Sequence, residues 1–227
     1  MTKIIGHRGA RGLAPENTIA SFKAALQYKV DEIELDVRVT KDGQCALSHD
    51  PWLHDKNGQS LHQLLIAEHT LAELRKTRPD LPTLEEAIRF IGHRVPVIIE
   101  VKPGVSTAEV ILAVRKLLKS GWSPEELRLA SFSQPTLREL QTAFPQIEKV
   151  INGHFFGWSA MWRAHSIGAK RLALNHHLVW WGMVSLMSHL GFKVGVHALN
   201  DPQKAARWSK YGLYAVITDY PDRFQKK

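Results

Sequence analysis

Short β-rich apolar runs alternate with amphipathic stretches along most of the chain. The runs predict strands at Lys3–His7, Glu32–Val37, Val95–Val101, Leu127–Phe132, Glu148–Asn152, Arg171–Asn175, Lys193–Ala198 and Ala215–Thr218. Helical patterns cover Thr18–Tyr28, Thr107–Lys119, Pro135–Ala143 and Pro202–Lys210. Strand–helix alternation favours a parallel sheet, and eight strands allow that sheet to close into a (β/α)8 TIM barrel. The rival fold, a doubly wound open sheet, lacks support because no Gly-rich fingerprint follows the first strand.

One segment interrupts the alternation. Apolar runs at 32–39 and 44–48 are separated by only four residues, too few for a parallel crossover, so the two runs must be antiparallel. Asp42-Gly43 is a strong signal for a two-residue hairpin turn. With that turn, Asp36 lies opposite His49, and Glu34 shares the face of Asp36. The second barrel strand is therefore expected to fold back and bring an imidazole to two carboxylates.

The stretch from about 51 to 78 matches neither a barrel strand nor a crossover helix, apart from a short helix expected at Thr70–Lys76. We interpret it as a small insertion over the barrel mouth, within a single domain spanning residues 1–227. The next helix is predicted to start at Thr83, whose hydroxyl and Glu86 form a capping box.

Composition narrows the class of protein. A net charge of +8 favours anionic partners such as nucleic acid, phosphoester metabolites or anionic lipid. No basic run resembles a nucleic-acid tail, so a small-molecule substrate is expected and nucleic acid is not. No long apolar window predicts a membrane span. No export signal is visible, and the lone Cys45 suits a reducing compartment, so a cytoplasmic location is expected.

Polar residues cluster where the predicted strands end, and this is the end of a (β/α)8 barrel that carries active sites. They are His7, Arg8, Glu34, Asp36, Glu100, Lys102, Ser131, Asn152, Asn175, His197 and Asp219. Converging carboxylates are costly unless a cation neutralises them, and their oxygen ligands suit Mg²⁺ or Ca²⁺. Arg8 and Lys102 could bind a phosphodiester. His7 and His49 could transfer the protons needed for its hydrolysis, as base and acid.

Each of these residues also has a purely structural interpretation. His7 could be a hydrogen-bonded loop residue, and Glu34 with Asp36 could form a solvated face. Glu100 and Lys102 could be a local ion pair. Ser131 fits a loop hydrogen bond better than a nucleophile. Their convergence on one rim favours function over these separate explanations.

Several motifs in succession resemble the glycerophosphodiester phosphodiesterase family. In chain order they are His7-Arg8-Gly9, Ala14-Pro15-Glu16-Asn17-Thr18, Glu34-Leu35-Asp36-Val37, Thr40-Lys41-Asp42-Gly43, His49-Asp50, Leu81-Pro82-Thr83-Leu84-Glu85-Glu86, Ile99-Glu100-Val101-Lys102, Ser131-Phe132 and Thr218-Asp219-Tyr220-Pro221. The resemblance runs from residue 4 to about 222 and implies a barrel with a small insertion.

The resemblance also implies an activity: hydrolysis of glycerophosphodiesters, such as glycerophosphocholine or glycerophosphoethanolamine, to glycerol 3-phosphate and an alcohol. It implies a metal bound by Glu34, Asp36 and Glu100. It further implies an acid–base pair of His7 and His49, phosphate contact by Arg8, stabilisation of charge by Lys102, and shaping of the site by Glu16 and Asn17. The glycerol 2-hydroxyl would attack first, giving a cyclic phosphodiester that water opens.

Two departures from the family pattern bear on specificity. His197 stands where relatives commonly have Trp, so the pocket wall is smaller and more polar. The insertion has His54-Asp55-Lys56-Asn57 in place of an Arg-Thr-Thr stretch. Alternatives therefore stay open: a relative that cuts lysophospholipids or glycerophosphoinositol, or a barrel that binds phosphate ligands without turnover.

The segment Phe155–Met187 is rich in aromatic residues. Trp158, Met161, Trp162 and His165 are expected to form one helix face packed on the barrel. Trp180 and Trp181 cannot both face one way on a helix, so one is expected to be exposed near the rim. Weak peripheral contact with lipid is a hypothesis from this aromatic excess and the basic charge.

Overall fold

The computed structural model describes residues 1–55, 58–153 and 157–225. Its strands are β1 Lys3–Gly6, β2 Glu32–Val39, β3 Cys45–Leu47, β4 Trp52–His54, β5 Ser60–Leu65, β6 Val97–Val101, β7 Leu127–Ser131, β8 Glu148–Gly153, β9 Arg171–Asn175, β10 Lys193–His197 and β11 Ala215–Thr218. Its α-helices are α1 Ile19–Gln27, α2 Leu71–Thr77, α3 Leu84–Ile91, α4 Thr107–Lys119, α5 Gln134–Ala143, α6 Gly157–His165, α7 Trp181–His189 and α8 Pro202–Ser209. Short 3₁₀ turns cover Ile66–Glu68, Pro124–Glu126 and Pro221–Phe224.

Eight parallel strands close into a barrel, which confirms the predicted (β/α)8 fold. The strand order is β1-β11-β10-β9-β8-β7-β6-β2, and β1 also pairs with β2. Ile5 lies beside Glu32 in that last pairing. Since β1 pairs with β11 on one side and β2 on the other, the eight barrel strands leave no edge, whereas an open sheet has two edge strands, so the doubly wound alternative is wrong. The predicted barrel strands agree with the observed ones to within about two residues at each end.

The barrel is filled from inside and covered from outside by separate apolar clusters. Side chains inside the barrel include Ile5, Ile98, Ala130, Val150, Ala173, Ala215 and Ile217. The strands' outer faces pack on the helices, for example Val97 and Ile99 with residues of α3 and α4. Strands buried on both faces consist of continuous apolar runs, which explains why the hydrophobic pattern of the sequence predicted their positions. No described helix is both long and apolar enough to cross a bilayer.

The hairpin after β2 is antiparallel as predicted, but the predicted register differs from the observed one by one residue. Val37 pairs with Leu47, and the Ser48 amide donates to the Asp36 carbonyl at 3.1 Å. Asp36 is therefore opposite Ser48, not His49. The cause is a three-residue loop, 41–43, closed by Gly43 at a φ of +76°. Glycine adopts that left-handed conformation without steric cost.

The insertion contains a small antiparallel hairpin that the sequence pattern did not reveal. Strand β4 pairs with β5, and α2 follows after a 3₁₀ turn. A satellite core of Ala46, Leu53, Ile66, Leu74 and Leu81 lies beneath it. The predicted helix and the Thr83 capping box are both present. Lys56 and Asn57 lie outside the described residues.

Helix α6 turns its tryptophans outward, contrary to the expected packed face. Ala160 and Ala164 are buried, whereas Trp158 and Trp162 are 54% and 67% exposed. Small alanines let α6 lie close to the barrel: a Cβ on Gly153 would be 3.3 Å from that of Ala160. His165 is also exposed, while Met161 packs partly against the core. Phe155 and Phe156 lie outside the described residues.

Candidate active site

The mouth of the barrel opens on a cavity of about 260 Å³. Residues from most of the barrel strands and their following loops line it. They include His7, Arg8, Arg11, Glu34, His49, Glu100, Lys102, Phe132, Asn152 and His197. Most of the predicted site residues thus share one cavity. Glu16 and Asn17 instead line a neighbouring cavity of about 380 Å³, which shares Arg8, Arg11 and His49 with the first.

Three carboxylates meet at one side of this mouth because of strand register. Glu34 and Asp36 are two residues apart on β2 and so point to the same face. Asp36 is also the direct neighbour of Glu100 on β6. One carboxylate oxygen from each of Glu34, Asp36 and Glu100 lies within 4.8 Å of the others, and all three residues are buried. The predicted convergence of the three side chains is present.

Asp36 is held by neutral and cationic partners. Its Oδ2 accepts a hydrogen bond from Asn17 Nδ2 at 2.9 Å and lies 3.1 Å from Arg8 Nε. Its Oδ1 lies 2.6 Å from Lys102 Nζ, which also contacts Glu100. Burial opposes ionisation of Asp36, but the charges of Lys102 and Arg8 outweigh it and lower the pKa of the carboxyl. Asp36 is therefore the most firmly ionised member of the cluster.

Glu34 and Glu100 are less well neutralised. Burial together with the charges of Asp36 and Glu100 raises the pKa of Glu34 well above its ordinary value. Burial and Asp36 likewise raise the pKa of Glu100, although Lys102 opposes the shift. Glu34 Oε1 is buried, and within the described part of the chain it has no hydrogen-bond partner. A buried oxygen without a donor is costly, so the cluster fits a bound cation.

The turn after β1 positions Arg8 and explains the His-Arg-Gly motif. Arg8 has a left-handed φ of +49°, which directs its amide to Glu34 Oε2 at 2.9 Å. Gly9 has a φ of +83°, and a Cβ there would be 2.4 Å from Ser21 Oγ in α1. The Arg8 guanidinium bonds both Glu16 oxygens at 2.9 Å. Glu16 therefore fixes the direction of Arg8.

His7 is oriented by a carboxylate from the last strand. Its Nδ1 lies 2.7 Å from Asp219 Oδ1. Arg11 and Asn200 also donate to Asp219, at 2.6 and 2.9 Å. Burial, with the charges of Arg8 and Arg11, lowers the pKa of His7, while Asp219 acts in the opposite direction. The contact leaves Nε2 as the ring nitrogen not engaged by Asp219.

His49 has a comparable arrangement at the edge of the insertion. Its Nδ1 lies 2.8 Å from Asp50 Oδ1, and Asp50 Oδ2 lies 2.8 Å from His54 Nε2. The Arg38 guanidinium donates to the His49 carbonyl at 3.1 and 2.9 Å. Burial and the charges of Lys102 and Arg8 lower the pKa of His49. The backbone and ring of His49 are thus both anchored.

Other predicted residues differ in their surroundings. Asn17 clamps Asp36 with both amide atoms, since its Oδ1 also accepts from the Asp36 amide at 3.1 Å. His197 lines the cavity, with its ring 6.2 Å from that of Phe132. Ser131 is fully buried and donates to the Val101 carbonyl at 2.7 Å. Its Oγ also accepts from the Ser133 amide at 3.1 Å, which is the predicted hydrogen bond to a loop.

Sequence reasoning missed the partners that orient these groups. Arg11 was not singled out, and Asn152 was noted only as a strand end, although its Nδ2 donates to Glu100 Oε2 at 2.8 Å. Asp219 was recognised by its motif but not as the partner of His7. The sequence did contain a signal for this contact. Asp219 directly follows the last strand, and a closed barrel places the last strand beside the first, which His7 directly follows.

Comparison with known proteins agrees with this geometry. The glycerophosphodiester phosphodiesterase of Bacillus subtilis is 29% identical over 257 residues, covering 98% of this chain and 85% of that protein. The glycerophosphodiester phosphodiesterase of Caldanaerobacter subterraneus is 27% identical over 239 residues, covering 97% and 95%. A phosphodiesterase of Oleispira antarctica, solved with its product sn-glycerol 3-phosphate, superposes with a TM-score of 0.85 at 28% identity, covering 99% and 96%.

The fold and these relatives define the protein as a phosphoric diester hydrolase on a (β/α)8 barrel. The family model of the glycerophosphoryl diester phosphodiesterases matches residues 7–223. The chain belongs to that family.

Proposed function

We propose that the protein hydrolyses glycerophosphodiesters, such as glycerophosphocholine and glycerophosphoethanolamine, to glycerol 3-phosphate and an alcohol. The observation that carries this proposal is a single cavity lined by His7, His49 and members of the buried carboxylate cluster. Each imidazole has its own carboxylate partner. The Oleispira relative with sn-glycerol 3-phosphate supports the identity of the product.

The two imidazoles exchange the protons of the reaction. One removes the proton of the glycerol 2-hydroxyl as that oxygen attacks phosphorus. The other protonates the departing alkoxide as its bond to phosphorus breaks. The resulting cyclic phosphodiester is opened by water with the proton transfers reversed, which gives glycerol 3-phosphate. Asp219 and Asp50 fix the tautomer and orientation of His7 and His49.

Glu34, Asp36 and Glu100 would hold one divalent cation, Mg²⁺ or Ca²⁺. Three buried carboxylates, the unpartnered Glu34 Oε1 and the raised pKa of Glu34 support this assignment. Such an ion supplies positive charge to the non-bridging phosphoryl oxygens when bound. Lys102 contacts Asp36 and Glu100 and so fixes their separation.

The remaining residues bind or position the substrate. Arg8 and Lys102 bring positive charge to the cavity for the phosphate. Glu16 acts by orienting Arg8, and Asn17 by orienting Asp36. His197 forms part of the pocket wall. The adjoining cavity beneath the insertion would receive the alcohol, since it shares Arg8 and His49 with the first.

A coupled assay for glycerol 3-phosphate release from glycerophosphocholine tests the proposal. Turnover should require Mg²⁺ or Ca²⁺ and collapse in His7→Ala and His49→Ala. His189→Ala is the matched control, because His189 is an exposed histidine at the end of α7. Full activity in His7→Ala, or indifference to exhaustive chelation, would contradict the mechanism.

The same assay separates the alternatives. Faster release from lysophosphatidylcholine or glycerophosphoinositol would favour the related phosphodiesterase activities. Binding of glycerol 3-phosphate without turnover of any of these substrates would favour a non-catalytic barrel. We also propose a cytoplasmic location, which the single unpaired Cys45 supports. Cell fractionation would test it.

A further inference from the structure

Large apolar side chains cluster on the surface around the start of α7. We define the α7 patch as Leu178, Trp180, Trp181 and Tyr211. Trp180 and Trp181 are 57% and 50% exposed. The two indoles meet edge to face at 5.5 Å, and Trp181 lies 4.6 Å from the Tyr211 ring. The three aromatic rings form a continuous surface. Both indoles lie outward, although only one was predicted to do so.

The α7 patch begins on the mouth side of the barrel and extends along its flank, because Tyr211 lies in the connection from α8 to β11 at the opposite end. Leu178 and Trp180 belong to the connection from β9 to α7, and such strand-to-helix connections surround the mouth. The amide of His176 in this connection donates to the carbonyl of His197, a residue of the cavity wall. Exposed Trp158 lies in the first turn of the neighbouring helix α6, at the mouth end.

Core packing does not account for the outward indoles. Val184 and Met187 already fill the inner face of α7, and Val179 is buried before it. The Trp180 ring lies over Gly182, where an added Cβ would be 2.0 Å from the indole. The fold therefore leaves room for Trp180 on the surface. An exposed apolar cluster of this kind is typical of an interaction site.

The charge of the surrounding sequence identifies the kind of partner. From residue 149 to 218 the chain has eight lysines and arginines and a single acid, Asp201. The whole chain has 30 lysines and arginines and 22 aspartates and glutamates, so nearly all of the net charge of +8 comes from this part. The Asp201 carboxylate caps α8 by accepting from the amides of Gln203 and Lys204.

Some of these cations are available at the surface. Lys149 and Arg171 are buried against other partners and do not count. Arg207 is exposed in the last turn of α8, and Lys210 is exposed directly before Tyr211 of the α7 patch. Lys204 lies one turn earlier, with its Nζ 3.1 Å from His176 Nδ1. The patch therefore has a basic border.

We propose that the α7 patch and its basic border dock on an anionic lipid bilayer. Indole rings suit the interface between head groups and acyl chains, and lysine and arginine beside them are attracted to anionic head groups. The binding itself does not depend on the proposed hydrolysis, so the two proposals fail separately.

Co-sedimentation of the full chain with vesicles tests the proposal. Vesicles of phosphatidylcholine alone are compared with vesicles that also contain phosphatidylserine, at low and high salt. The wild type should bind the anionic vesicles at low salt, and high salt should weaken binding. Trp180→Ala with Trp181→Ala should weaken partitioning about tenfold or more. Arg207→Gln with Lys210→Gln should weaken it about fivefold for each charge removed.

Matched variants on α4 make the test specific. Arg115→Gln with Lys119→Gln removes two exposed charges from another side of the barrel, and Leu112→Ala removes an exposed apolar side chain. Both should bind like the wild type, and the Trp180/Trp181 variant should keep its turnover of glycerophosphocholine. Equal losses in the α4 variants, or no wild-type binding to anionic vesicles, would overturn the proposal. Light scattering adds one more outcome that would overturn it. This outcome is a wild-type dimer that does not bind vesicles and that the Trp180/Trp181 substitutions dissociate.

Discussion

Strand β2 carries buried carboxylates to both ends of the barrel interior, Glu32 at the lower end and Glu34 with Asp36 at the mouth. At the lower end, Glu32 is fully buried against Arg171, which reaches it from β9. Lys3 adds a second contact at 2.9 Å. Burial would raise the pKa of Glu32, but Arg171 outweighs it and lowers the pKa.

At the mouth the balance is reversed. Glu34, on the same face of the same strand, has a raised pKa because burial and two other carboxylates outweigh Lys102 and Arg8. The lower cluster contains its own countercharges, whereas the upper cluster concentrates more negative charge than its cations neutralise. Buried charge without compensation is unfavourable, so its persistence points to a ligand. The difference indicates a structural role for Glu32 and a functional one for Glu34.

Glu34→Gln should give the largest effect, because it removes the least compensated carboxylate while keeping its size. We expect kcat/KM to fall by about 100-fold or more, as for loss of a metal-supporting group. Stability in chelator should not fall, since Asp36 and Glu100 lose a like-charged neighbour. Steady-state kinetics and thermal melts measure both effects. Near wild-type turnover in this variant would remove the functional assignment.

Glu32→Gln is the matched change at the lower end and should act oppositely. It leaves the buried Arg171 without its main countercharge, so the free energy of unfolding should fall by about 3 kcal/mol. The kcat of the folded protein should stay unchanged, because Glu32 lies away from the mouth. Urea titration with parallel kinetics measures both quantities. Unchanged stability would show that the two clusters do not differ in the way described.

The pH dependence of turnover should show a smaller effect. Burial and nearby cations lower the pKa of both His7 and His49, so the imidazole acting as base stays neutral to a lower pH than a free imidazole, whose pKa is about 6.5. Activity should therefore persist below that pH. Asp219→Asn removes an influence that raises the pKa of His7, so one limb of the profile should move to lower pH. Asp50→Asn should do the same for His49.

Profiles of kcat/KM against pH, measured for both aspartate variants, check these shifts. Asp31→Asn provides a control, because Asp31 is exposed and its side chain accepts a hydrogen bond from the Ile4 amide, away from both histidines. Movement of the same limb by both Asp219→Asn and Asp50→Asn would contradict separate roles for the two histidines.

The barrel and the composition of its mouth were predictable, because each strand is a buried run bounded by polar residues. The hairpin register was not, since a two- and a three-residue loop fit the same Lys41-Asp42-Gly43 sequence, and only the backbone at Gly43 separates them. The face of α6 that packs on the barrel was also predicted wrongly. Large apolar residues usually face the core, but here Ala160 and Ala164 permit closer packing than the tryptophans would.

Partners distant in sequence were the hardest part of the site to predict. The contact of Asp219 with His7 spans 212 positions and exists only because the barrel closes. Asn152 reaches Glu100 from two strands away. Motifs identify which residue types are present, whereas hydrogen-bond partners depend on register and on the rotation of each strand.

Isothermal titration calorimetry with Mg²⁺ and Ca²⁺ tests the difference between the two clusters most directly. The wild type and Glu32→Gln should each bind one divalent ion per chain, and Glu34→Gln should show little or no binding. Absence of binding in the wild type, or equal binding in Glu34→Gln, would contradict a cation site at the mouth.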